Sequence, residues 1–113
     1  MEYTVEQVKA IVAEAKSEAR KAADAYFQTN LGGVDQYACG FAWVNIYSVK
    51  GNTKLGKTLK AAGLRQDYTK AFSIWNPSEH GCQNIDTKEA GARAAQKVFE
   101  KYGFRAYAGS RLD

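Results

Sequence analysis

The chain has 113 residues, a formal net charge of +4, and is 45% hydrophobic and 12% aromatic. That is enough for one domain with its own core, and too apolar for a disordered segment. No apolar run approaches the twenty residues that a membrane helix needs, and the N-terminus, Met1-Glu2-Tyr3-Thr4-Val5-Glu6, lacks the apolar core of a signal peptide, so no membrane association is expected. Two cysteines, Cys39 and Cys82, are too few for a disulfide framework and read as reduced thiols of a cytoplasmic protein.

The first predicted element is a long helix over about 4–31. Thr4 with Gln7 forms a capping-box pattern, and Gly32-Gly33 stops the helix. Val5, Val8, Val12, Ala15, Ala19, Ala22 and Tyr26 follow the 3-4 spacing of a heptad seam. Such a helix would be roughly 40 Å long, against a radius of gyration of about 13 Å for a domain this size. It is therefore expected to overhang its own fold and to lie at a subunit interface. Tyr37–Tyr47 alternates as a strand, with Ala38, Gly40, Ala42, Val44 and Ile46 on one face. Cys39, Phe41, Trp43, Asn45 and Tyr47 lie on the other. Both faces are largely apolar, which predicts a central strand covered on both sides, its small face against the first helix.

Residues 51–58, Gly51-Asn52-Thr53-Lys54-Leu55-Gly56-Lys57-Thr58, match the phosphate-loop pattern G-x-x-x-x-G-K-[ST]. In that motif backbone N–H groups wrap phosphates, the lysine reaches their oxygens and the hydroxyl holds magnesium. However, no apolar strand ends in the acid that such enzymes need. The apolar periodicity predicts a short helix from Thr53 to Ala62 with Lys54, Lys57 and Lys60 on its solvent face. A second strand is predicted near 71–76, ended by Pro77. A third helix starts at Asp86 and buries Ala90 or Gly91, Ala94, Ala95, Val98, Phe99 and Tyr102. A last strand covers Phe104–Ala108. The order predicts one α/β domain over 1–113: a small mixed sheet, the long N-terminal helix and two further helices.

His80, Cys82 and Cys39 fit no metal spacing, and a His80–Cys82 pair lacks an orienting third group, so neither a metal site nor a catalytic residue is predicted. A binding constellation is more complete. Asn84 and Asp86 flank a helix start, where anions and hydroxyls are favoured. Phe72 or Trp75 could stack on a base, and Arg105 and Arg111 could hold phosphate.

On Phe72 or Trp75, Asn84-Ile85-Asp86, and Arg105 or Arg111, together with its size and layout, the chain resembles the phage anti-Thoeris sponge family. That resemblance implies a non-enzymatic protein without a cofactor, acting in the cytoplasm of a bacterial host. It would sequester a cyclic nucleotide signal of the glycocyclic ADP-ribose type, or cyclic oligonucleotides. It also implies a homodimer, with hexamers in some members. Two alternatives stay open: a nucleotide-binding enzyme built on the 51–58 loop, and an interaction protein directed at a host defence enzyme or at nucleic acid, the latter less favoured.

Overall fold

A computed structural model describes residues 2–113. The elements in chain order are α1 (Val5–Leu31), β1 (Gly40–Tyr47), α2 (Lys54–Ala61), β2 (Arg65–Gln66), β3 (Phe72–Trp75), α3 (Ile85–Lys101) and β4 (Arg105–Leu112). The α/β character and the long N-terminal helix are as the sequence predicts. The four strands pair in the order β2-β3-β1-β4, and every pairing is antiparallel, not mixed. β2 and β3 form a tight hairpin, which imposes antiparallel pairing, and the connections around β1 bring its neighbours back in the opposite sense.

α1 begins at the capping box of Thr4 and Gln7 and ends where Gly32 adopts a left-handed φ of 63°. Its buried positions are Val8, Ile11, Ala15, Ala19, Ala23 and Leu31. Ile11, Ala15, Ala19 and Ala23 are spaced four apart, a ridge suited to packing on another helix of the same fold rather than a heptad seam. The ridge lies along α3, where Gly91, Ala92 and Ala95 are also buried. Backbones approach closely there: a Cβ on Gly91 would sit 3.2 Å from the Ala19 carbonyl oxygen. The expected overhang is absent. The molecule measures 44 × 25 × 18 Å, and buried positions of α1 run from Val8 to Leu31.

α3 in turn lies on the sheet, against β1 and β4. Ala42, Val44, Ile46, Phe72 and Ala106 point into the core with Leu59, Val98, Phe99 and Phe104. The small face of β1 thus meets α3, not α1. The three helices are spent on one side of the sheet, so the opposite face of β1 is uncovered, contrary to the two-sided burial read from its apolar content. The free edge of β4 is covered in part from α3, because Ala108 donates its N–H to Gln96 Oε1 at 2.8 Å and Ser110 donates its hydroxyl to Glu89.

Candidate functional site on the open sheet face

Strand parity decides which side chains reach the open face. Trp43 pairs with Trp75 and Gly109, Asn45 with Ser73 and Tyr107, Phe41 with Arg111, and Tyr47 with Arg105. All of these project away from the helices. Two aromatic groups result. At one end the Trp43 and Trp75 rings stack nearly parallel, 7° apart at a centroid distance of 5.4 Å, with Phe41 5.5 Å from Trp75. Gly109 makes room for the Trp43 indole, since a Cβ there would lie 2.6 Å from its Nε1. At the other end Tyr47 and Tyr107 meet edge to face at 5.7 Å. Trp43 and Tyr47 are four residues apart on β1, so the two groups are separated by about 13 Å. Trp75 is 55% exposed and Tyr107 49%, too much for core residues and enough to offer a ring face to a ligand.

Cations surround the rings. The Arg111 guanidinium lies 5.5 Å from the Phe41 centroid, within cation–π range. Arg105 lines an open cleft of about 510 Å³ with Tyr47, Ser48 and Tyr107. Arg65, opposite Ser73, lines a groove of about 340 Å³ with Trp75 and Lys16.

Between the aromatic groups sits Asn45, only 7% exposed. Its Nδ2 donates to the Tyr47 hydroxyl at 3.1 Å and to Asp67 Oδ2 at 3.5 Å. Its Oδ1 is buried without a partner, the one such side-chain atom among the described residues. An orphaned acceptor of this kind costs about 1–3 kcal/mol, and a ligand donor reaching it would recover that.

The sequence-predicted constellation divides. Trp75, Arg105 and Arg111 share the open face, Trp75 and Arg111 at the tryptophan end and Arg105 at the tyrosine end. Phe72 does not join them: it is three residues from Trp75, so it points the opposite way, and its ring is wholly buried in the core. Asn84 is also fully buried. It caps α3, its Oδ1 accepting from the Thr87 N–H and hydroxyl at 2.8 Å each while Nδ2 donates to the Gln36 carbonyl. Every polar atom of that amide is used inside the protein, which leaves nothing to read a sugar or a base. Asp86 is therefore not the cap but an exposed carboxylate in the first turn of α3. Sequence reasoning passed over Phe41, Trp43, Asn45, Tyr47 and Tyr107 as ligand-facing residues. The usable signal was parity: odd-numbered positions of both β1 and β4 carry the aromatic and arginine side chains.

The 51–58 motif does not form a phosphate loop. α2 is capped by Thr53, whose hydroxyl accepts from the Gly56 N–H at 3.1 Å, so Gly56 and Lys57 already belong to helix. Lys57 is exposed on that helix, and the Thr58 hydroxyl donates to the Lys54 carbonyl instead of facing a metal. Gly56 is required for packing: its Cβ would lie 2.1 Å from the Lys50 carbonyl oxygen.

His80 and Cys82 are likewise occupied structurally. His80 Nδ1 accepts from the Cys82 N–H at 3.2 Å, and its Nε2 is 3.4 Å from Asp24. Burial, with a smaller contribution from Asp35, pushes the Cys82 thiol above its ordinary range, which disfavours a nucleophilic thiolate. Comparison with protein-family models, curated proteins and solved structures finds no match.

Proposed function

We propose that this chain is a non-enzymatic nucleotide-binding protein that takes single-stranded nucleic acid across the open face of its sheet. The observation that carries this is the uncovered face itself, with five aromatic side chains in two groups and arginines at its margins. Bases stack on exposed rings whatever their sequence, and guanidinium groups hold the phosphates between them. Two ring groups about 13 Å apart suit a ligand with more than one base. The net charge of +4 favours a polyanion. No catalytic group is called upon.

Sequestration of a cyclic nucleotide, which the anti-Thoeris resemblance implies, is the second reading. The near-parallel Trp43 and Trp75 rings beside Phe41 and Arg111 favour it, because they would suit one purine. Small ligands are normally buried over most of their surface, so here a second copy of the chain would have to close over the face.

Fluorescence anisotropy with a labelled, unstructured oligonucleotide tests the first reading. Removing one stacking ring costs about 1–3 kcal/mol, so Trp75→Ala is expected to weaken binding roughly 5–150-fold. Affinity that changes less than about twofold would overturn it. Native mass spectrometry with cyclic nucleotides separates the two readings. Two chains per intact ligand, with no oligonucleotide binding, would favour sequestration.

A further inference from the structure

Next to the Tyr47–Tyr107 end of the face lies a second cleft, of about 640 Å³, lined by Ser48, Lys50, Gly51, Asn52, Gln66 and Lys70. Ser48 also lines the Arg105 cleft, so the two adjoin. β1 ends at this point because Ser48 takes a left-handed φ of 65° and turns the chain away from the sheet. Gly51 is part of the lining. A Cβ there would sit 2.9 Å from Lys60 Nζ and 2.7 Å from Gln66 Oε1, so the bare glycine lets an ammonium and an amide come close at this point of the lining. Lys50 and Lys70 line the cleft, and Lys60 Nζ approaches it beside Gly51. Among the described residues none of them has a carboxylate within ion-pair distance. The nearby acid, Asp67, is engaged elsewhere: its Oδ1 accepts from the Thr69 N–H, the Thr69 hydroxyl and the Ala71 N–H, and its Oδ2 from Asn45.

Uncompensated like charges around one space repel one another, and a multivalent anion between them removes that repulsion. A phosphomonoester carries close to two charges and three acceptor oxygens at neutral pH, more than the single charge of an internal phosphodiester. We infer that this lysine cleft holds the terminal phosphate of a nucleotide strand whose end base lies against Tyr47 and Tyr107, with Arg105 between base and phosphate. The base in this inference rests on the open-face reading; the phosphate site rests on the cleft alone. The phosphate-loop pattern in the sequence thus overlaps a phosphate site only at its first two residues, Gly51 and Asn52. The lysines all come from outside the motif, and Lys57 is not among them.

The test uses the intact chain and one short oligonucleotide in three forms: 5′-phosphorylated, 3′-phosphorylated and unphosphorylated. One phosphorylated form is expected to bind about tenfold more tightly than the unphosphorylated form. The double variant Lys50→Gln/Lys70→Gln should lose that gain and keep most of the unphosphorylated affinity. Gly51→Ala should do the same, because its methyl meets only the ends of flexible side chains and the fold survives. Equal affinity for all three forms, or a gain that persists in both variants, overturns the inference. If no oligonucleotide binds, the open-face reading fails by itself. Inorganic pyrophosphate then decides on the cleft. Amide shift changes at Gly51, Asn52 and Lys70 in wild type, lost in the double variant, support it. No change at about 10 mM overturns it.

Discussion

Gly56→Ala separates a structural glycine from a phosphate-binding one within a single motif. The added methyl would lie 2.1 Å from the Lys50 carbonyl oxygen and 2.9 Å from Gly51 Cα, both backbone atoms. A comfortable carbon–oxygen contact is about 3.3 Å, so the 50–53 turn must move by roughly 1 Å. That turn is held by the same carbonyl, which accepts from the Thr53 N–H at 3.1 Å and from its hydroxyl at 2.6 Å. Thr53 then caps α2. Crowding costs about 2 kcal/mol, and the disturbed turn and cap about 2 more. Alanine's better helix propensity returns about 1, for a net loss of about 3 kcal/mol. In a chain of this size that corresponds to a fall in Tm of roughly 12–20 °C. Thermal and urea unfolding measure it directly. Lys57→Ala, at an exposed position in the same motif, should stay within about 0.5 kcal/mol of wild type and leave nucleotide binding unchanged. If Gly56→Ala unfolds like wild type, or if Lys57→Ala abolishes binding, the motif is functional in the way its spelling suggests and the packing account is wrong.

Asn84→Ala should destabilise the protein by about 2–4 kcal/mol in urea unfolding, since it removes the α3 cap and orphans the Gln36 carbonyl; a loss under about 1 kcal/mol would show the amide to be expendable. Stability should also respond to acid through Glu14. Hydrogen bonds from the Lys101 ammonium and, secondly, the Tyr102 hydroxyl hold its carboxyl below the ordinary range. The stabilisation is therefore complete above the unfolded carboxyl value of about 4.3, and is lost as pH falls through the depressed folded value. The urea midpoints of wild type and Glu14→Gln should differ at neutral pH and converge in acid. A gap that persists at pH about 2 would assign it to some other cause.

Local chemistry announced itself well in this chain. The Thr4–Gln7 box and the Gly32 stop fixed the ends of the first helix without tertiary knowledge. The face of α1 was read less well, because alanines occupy Ala19, Ala22 and Ala23 alike and no single residue marks the buried side. Ile11, omitted from a heptad seam, belongs to the four-residue ridge that packs. The open face was misread for a different reason. Phe41, Trp43 and Tyr47 are as apolar as a core, and whether a sheet face is covered depends on how many helices remain to cover it. Here α1 stacks on α3 and leaves that face bare, a tertiary fact that no strand records. Phe72 and Trp75 show what could have been read: three residues apart on one strand, they cannot share a face. Asn84 reads as a ligand group in the sequence because caps and binding sites use the same side chains, and only its complete set of internal hydrogen bonds tells them apart.

Both tryptophans of the chain, Trp43 and Trp75, stack on the open face. The protein's indole emission therefore originates entirely outside its core. Solvent quenchers should reach the half-exposed Trp75 in the folded state, and any molecule laid on the sheet should shield or quench that signal without a label. The stacked rings are held in one asymmetric arrangement, giving a near-ultraviolet circular-dichroism band that fades when their packing is lost. Melting followed by that band and melting followed by the far-ultraviolet helix signal would then report on two separate parts of the molecule. A gap between them would time the release of the sheet face against the loss of the helical layer.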